Sequence, residues 1–110
     1  MAAANVQTFT DDNFQSEVVG SSTPVVVDFW AEWCQPCKML TPTIEELAAT
    51  FKGRVKVGKL DTDANRTVSV KYGIQAIPTV LVFKDGEIQD KKIGLVKKGE
   101  FESVLTRLVG

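Results

Sequence analysis

The run Val25-Val26-Val27-Asp28-Phe29-Trp30, apolar except at Asp28, leads within three residues into Cys34-Gln35-Pro36-Cys37. A short apolar run rich in β-branched and aromatic side chains fits a strand buried on both faces, in the middle of a sheet covered by helices. Beyond the cysteines, Leu40, Ile44, Leu47 and Phe51 recur at helical steps, giving one face of a helix over residues 34–52. The only two cysteines of the chain therefore lie where a buried strand passes into a helix. Two thiols at that spacing suggest a reversible dithiol/disulfide pair. Asp28 is the exception within the run. An unpaired buried carboxylate is expensive, so at this position it is expected to be neutral, paired or functional.

The 110 residues suit a single domain over 1–110. Hydrophobic residues at 44% and charged residues at 25% are ordinary globular values. With 13 basic against 14 acidic side chains there is no general attraction to nucleic acid or to an anionic membrane. Lys91, Lys92, Lys97 and Lys98 form the densest basic cluster, read as a solvated face, with steering of an acidic partner as the alternative. The chain has no histidine, which removes Ser-His and Cys-His nucleophile pairs and imidazole ligands. Two cysteines alone cannot close a four-ligand zinc site within one chain; a metal shared between two chains is the alternative. No stretch approaches the roughly 20 apolar residues of a membrane span. Met1-Ala2-Ala3-Ala4-Asn5 lacks the charged region and apolar core of a secretory signal.

Around this centre the chain reads as alternating elements. Val6–Phe9 is a short strand. Thr10 caps a helix with Asp11 and Asp12 in its first turn and Phe14 and Val18 facing inward. Pro42 should kink the helix after the cysteines, and Gly53 should stop it. Residues 55–61 form a second buried strand, with Val55, Val57 and the stem of Lys59 on one side. The helix between the two buried strands makes a βαβ unit with parallel strands. Residues 63–72 form a short helix containing Val68 and Val70, closed by Gly73. Thr79–Lys84 and Glu87–Ile93 form a hairpin about Asp85-Gly86, and the five-residue spacing of Ile88 and Ile93 hints at a bulge. A last helix from Lys98 carries Phe101, Val104, Leu105 and Leu108 at helical spacing. The order β-α-β-α-β-α-β-β-α implies an α/β fold with a central mixed sheet and helices on both faces. The cysteines then lie at the carboxyl end of a strand, where open α/β sheets place their active loops.

Cysteines three apart on a helix are neighbours within reach of disulfide geometry. Cys34 lies at the first turn, where free N–H groups and the positive dipole end stabilise a thiolate. Cys37 is one turn further in and less exposed. Pro36 has no N–H to lose there. Cys34 is thus assigned the attack and Cys37 the resolution.

The segment from Val25 to Lys38 resembles the active-site segment of the thioredoxin family, the bacterial and chloroplast m-type members most closely. The resemblance continues through Pro42, Lys59-Leu60-Asp61, Tyr72-Gly73-Ile74, Ile77-Pro78-Thr79, Phe83-Lys84-Asp85-Gly86 and Gly94. It implies the thioredoxin fold and a general protein-disulfide reductase, without a cofactor other than its own redox-active disulfide. The implied partners are oxidised target proteins and a thioredoxin reductase, NADPH- or ferredoxin-dependent; the implied state is a cytoplasmic monomer, or a chloroplast stromal one as a mature chain. Asp28 matches the family's buried proton acceptor for Cys37, Lys59 its basic neighbour, and Pro78 the cis-proline facing the disulfide. Trp33, Ile74, Ala76, Ile77, Pro78 and Gly94 match a flat apolar contact surface, bordered by Gln35 and Pro36 of the motif itself. Ile77 would offer backbone hydrogen bonds to an extended target segment. Trp30 is read as packing rather than contact. The alternatives are a disulfide oxidase or isomerase on the same fold, and a non-redox binding or folding subunit. Gln35 stands where the family usually has glycine, which bears on redox poise, 30 mV corresponding to about 1.4 kcal/mol. Lys97 stands where a good N-cap residue is common, so the last helix is expected to start loosely.

Overall fold

The computed structural model describes residues 5–109. The reading of Met1-Ala2-Ala3-Ala4 as lacking a secretory signal falls outside the described residues. The elements are strand β1 (Val6–Phe9), a π turn (Gln15–Val19), strand β2 (Val25–Trp30), helix α1 (Gln35–Thr50), strand β3 (Lys56–Asp61), helix α2 (Arg66–Lys71), strands β4 (Thr79–Lys84) and β5 (Glu87–Ile93), and helix α3 (Lys98–Val109). The strands lie in the order β1-β3-β2-β4-β5. β3 pairs in parallel with both β1 and β2, whereas β4 pairs antiparallel with β2 and β5. The α/β fold with a mixed sheet expected from the sequence is the one observed.

β2 is the central strand, and its alternation divides the interior. Val26 packs with Leu40, Ile44 and Leu47 of α1 and with Phe101 and Leu105 of α3. Val25, Val27 and Phe29 point the other way, against Phe14, Val18 and Val68. Three rings lock that second face. Phe14, Tyr72 and Phe83 meet with centroids 5.4 to 5.7 Å apart, joining the π turn, the end of α2 and β4. β3 passes through Gly58, where a Cβ would collide with the Phe9 ring.

The first helix differs from expectation. Thr10 and Asn13 do cap reciprocally: the Asn13 N–H donates to Thr10 Oγ1 at 3.1 Å and the Thr10 N–H to Asn13 Oδ1 at 2.8 Å. The chain then makes a single wide turn, because the Gly20 N–H reaches back five residues to the Gln15 carbonyl at 2.8 Å. Asp11 does not serve that turn. Its carboxylate accepts the N–H groups of Thr67, at 3.3 Å, and Val68, at 2.9 Å, and so caps α2 from a distant part of the chain. Asn65, directly before α2, makes no side-chain cap of its own; its Oδ1 accepts the Asp11 N–H at 2.9 Å.

Other boundaries shift for local reasons. α2 begins at Arg66 rather than 63, because Asp61 Oδ1 accepts the Asp63 N–H at 2.9 Å and holds a turn there. It ends with the Gly73 N–H on the Val70 carbonyl and the Ile74 N–H on the Ser69 carbonyl, a Schellman closure. Val68 is buried, but Val70, two positions on, faces solvent. α1 continues through Pro42 and ends at Thr50; Gly53 lies in the turn beyond it. β3 starts at Lys56, with Val55 buried just ahead. In the hairpin, Asp85 (φ 54°) and Gly86 (φ 80°) both take left-handed conformations, as a two-residue type I′ turn requires. The register passes from Val82↔Asp90 to Phe83↔Ile88, so Gln89 is the extra residue of the expected bulge. Of the four clustered lysines, Lys92 pairs with Asp90 at 3.1 Å, and Lys98 pairs with Glu46 at 3.7 Å and Glu102 at 3.8 Å. That surface therefore mixes both signs of charge.

Removing the distant cap should destabilise the fold. Asp11→Ala is expected to lower unfolding free energy by about 1 kcal/mol, the usual loss for an N-cap carboxylate. Asp11→Asn, which keeps an acceptor, should lose less. Equal urea midpoints for Asp11→Ala and the parent would show that the bonds to Thr67 and Val68 contribute nothing.

Candidate active site

The end of β2 and the start of α1 place the cysteines. Cys34 is the N-cap of α1, with φ −90° and ψ 106°, and its sulfur accepts the Cys37 N–H at 3.2 Å. The thiol sulfur thus occupies the place usually taken by a serine or aspartate oxygen at a helix start. Pro36 falls within this first turn, where no backbone donor is needed. Cys34 and Cys37 form a disulfide with Cα atoms 5.3 Å apart, inside the usual range. Cys34 is 4% exposed and Cys37 is fully buried, so only Cys34 can be touched from outside. Both pack with Ala31, against Trp30 and Ile77.

A loop opposite the helix start faces the disulfide. The Ile77–Pro78 peptide bond is cis, and the Ile77 carbonyl oxygen lies 3.8 Å from Cys34 Sγ. Residues 74–77 pair with no strand. Trp33 is 70% exposed, and its Nε1–H donates to Asp63 Oδ2 at 2.8 Å. Gln35, Pro36 and Ala76 are exposed, while Ile74, Ile77 and Gly94 are partly so. Pro78 departs from the surface expected of it. It is buried, because β4 begins at the next residue and the Pro78 carbonyl is tied to the Gly94 N–H at 2.8 Å. Ile93 and Leu95, on either side of Gly94, are exposed and were not legible as part of the apolar rim. Asp63, which orients the indole, was not legible either, since its partner lies on another element.

Asp28 lies under the helix. It shares the face of β2 with Val26, and the inner face of α1 carries Cys37, Leu40, Ile44 and Leu47 in helical succession. The carboxyl is therefore beneath the Cys37 end of α1. It has no exposed surface, and neither oxygen has a hydrogen-bond partner among the described residues. Burial pushes its pKa from the ordinary 3.8 up to about 7, against the pull of the Lys59 ammonium, which lowers it. Lys59 is its register neighbour on β3 and Val80 on β4. The Lys59 ammonium itself donates to Thr41 Oγ1 at 2.9 Å and sits 4.5 Å from the Trp30 ring centre. Trp30 packs against Lys59 and the cysteine cluster. A cavity of about 620 Å³ opens beside Lys59, with Trp30, Glu32, Thr41, Glu45 and Asp61 in its walls; neither cysteine lines it. Among the described residues, no three His, Cys, Asp or Glu side chains come together to hold a metal ion. No helix among them is long and apolar enough to cross a membrane.

The chain is similar to known proteins. A family model described as Thioredoxin matches residues 5–107. A thioredoxin of Rickettsia felis is 55% identical over 89 residues, covering 81% of this chain and 85% of that protein. A thioredoxin of Porphyra purpurea is 43% identical over 105 residues, covering 96% of this chain and 98% of its own length. The chloroplastic M-type thioredoxin of Pisum sativum is 45% identical over 108 residues, which is 98% of this chain and 63% of the pea protein.

The buried carboxyl makes stability depend on pH. With its pKa near 7 when folded and 3.8 when unfolded, the folded chain binds more protons between those values. Stability is then greatest below pH 4 as far as this group is concerned, and falls as pH rises to 7. Asp28→Asn removes the term and should be more stable than the parent at pH 8, by on the order of 4 kcal/mol. Urea unfolding of the two oxidised proteins at pH 8 checks this; a less stable Asp28→Asn protein would contradict the burial argument.

Proposed function

The chain belongs to the thioredoxin family and is a dithiol–disulfide reductase, and we propose that Cys34 is its attacking thiol, Cys37 its resolving thiol and Asp28 the proton acceptor for Cys37. The observation that carries this assignment is the difference in exposure between two sulfurs at one helix start, with a raised carboxyl beneath the buried one. In the reduced state the Cys34 thiolate faces the first-turn N–H groups of α1, which stabilise its charge. It attacks one sulfur of a target disulfide, forming a Cys34–target bond and releasing the other target sulfur as a thiolate that takes up a proton. Cys37 then gives its proton to the Asp28 carboxylate and attacks Cys34 Sγ. The Cys34–target bond breaks, the target leaves as a dithiol, and Cys34–Cys37 becomes the disulfide. Two electrons pass from this chain to the target.

Thioredoxins work with a reductase and with target proteins, and the same holds here at that level. We further propose that a flavin NADPH enzyme or a ferredoxin-dependent one restores the dithiol. The relatives include both bacterial and chloroplast proteins, and either a cytoplasmic or a stromal setting suits the reading. The proposed state is a single domain acting as a monomer. The docking surface is formed by Trp33, Gln35, Pro36, Ile74, Ala76, Ile77 and Gly94. The 74–77 segment, which belongs to no strand, suits strand-like hydrogen bonding to an extended target, with Ile77 nearest Cys34. Pro78 acts from within, by packing beneath that segment. Lys59 tunes Asp28 through its charge.

Replacing each cysteine should separate the two steps. Cys34→Ser is expected to abolish insulin disulfide reduction, and Cys37→Ser to accumulate a covalent complex with the target that dithiothreitol releases. Mass spectrometry of the trapped species checks the order of attack. Sustained turnover by Cys34→Ser, or a target joined to Cys37 in the parent protein, would overturn it.

A further inference from the structure

Lys59 leaves β3 beside Asp28, yet among the described residues the two make no ion pair. The ammonium goes to Thr41 Oγ1 and to the Trp30 face instead. Thr41 Oγ1 in turn donates to the Cys37 carbonyl at 3.3 Å. One hydroxyl, four residues along α1 from Cys37, thus joins the lysine to the turn that carries the buried sulfur. Past Thr41 the cavity opens, with Glu32, Glu45 and Asp61 in its walls. A lysine stem is long enough to carry its charge out to water when nothing holds it, and these carboxylates draw it in that direction.

We propose that Thr41 is a positioning residue: its hydroxyl holds the Lys59 ammonium against α1, where the charge acts on Asp28, and keeps it from moving out to the cavity carboxylates. This rests on the reading of Asp28 as proton acceptor and deepens it. The groups facing Asp28 can be named from each neighbouring element. β3 contributes Lys59, α1 contributes Cys37 and, through Lys59, Thr41, while β4 places the uncharged Val80 opposite. α3 packs on this side of the sheet with the uncharged Phe101, Val104, Leu105, Leu108 and Val109. Lys59 is therefore the cation whose placement matters. Held close, it favours the ionised carboxylate; moved into water, it is screened and acts less.

The variant that tests this is Thr41→Val, which keeps the side-chain shape and removes the hydroxyl. Asp28 titration is followed by carboxyl-carbon NMR of the oxidised protein, a readout independent of turnover. The midpoint should rise by roughly half a pH unit in Thr41→Val, and Thr41→Ala should reproduce the rise. Thr41→Ser, which keeps the hydroxyl, should return it to the parent value. In a Lys59→Met background, Thr41→Val should shift nothing. A midpoint in Thr41→Val that is unchanged or lower, or a rise that persists in Lys59→Met, would overturn the proposal. If Asp28 takes no proton from Cys37, the failure appears elsewhere, in the pH dependence of the resolution step, and leaves the titration result standing.

Discussion

Burial of Asp28 beneath α1 governs the rest of this structure, because a carboxyl without a hydrogen-bond partner among the described residues works against folding at neutral pH. The strand that carries it must be secured by everything around it. Val25, Val27 and Phe29 are fully buried on one side and Val26 on the other, with β3 and β4 paired along both edges of β2. The apolar burial on both faces compensates for one unfavourable group. That group lies under the helix start that carries both cysteine sulfurs. A carboxyl that ionises near pH 7 would suit the proposed deprotonation of a buried thiol whose ordinary pKa is about 8.5. On the proposed reading, the group that destabilises the fold is the one that serves its chemistry.

The cysteine pair and its surroundings divide the work between rigid and open parts. Cys34 gains its environment from the N-terminus of α1, where the Cys37 N–H already points at its sulfur. Trp33 is exposed but tethered through Asp63, so its apolar face meets solvent in a fixed orientation. The segment before β4 belongs to no strand, and Gly94 fastens its end through the Pro78 carbonyl. Exposed Ile93 and Leu95 extend the apolar surface beyond Gly94. Of the three site groups only Cys34 has any exposed surface, while Cys37 and Asp28 are fully buried.

Much of this was legible in the sequence because the signals are local. The apolar run 25–30, the helical spacing of Leu40, Ile44 and Leu47, and Asp85-Gly86 each reveal an element from its own residues. The five-residue spacing of Ile88 and Ile93 revealed the bulge at Gln89 in the same way. Asp28 announced itself as a charge in an apolar strand. The parts that were not legible depend on tertiary partners. Asp11 reads as the cap of its own helix, yet it caps α2. Thr41 reads as an ordinary helix residue until Lys59 reaches it from β3. Pro78 reads as surface by analogy, but its burial depends on where β4 starts. Residues 15–19 form a π turn because Gly20 bonds to Gln15, a choice that amphipathic spacing does not reveal.

Catalysis by this site depends above all on whether the carboxyl beneath α1 takes the proton from Cys37. The most direct test is the single-turnover rate at which Cys37 releases a target from the Cys34 mixed disulfide, followed from pH 5 to pH 9 in the parent and in Asp28→Asn. The parent rate should rise through an inflection near pH 7, where Asp28 ionises. Asp28→Asn should lose that inflection and resolve more slowly at neutral pH, by on the order of tenfold or more, as expected when a positioned general base is removed. Superimposable pH profiles for the two proteins would contradict the claim.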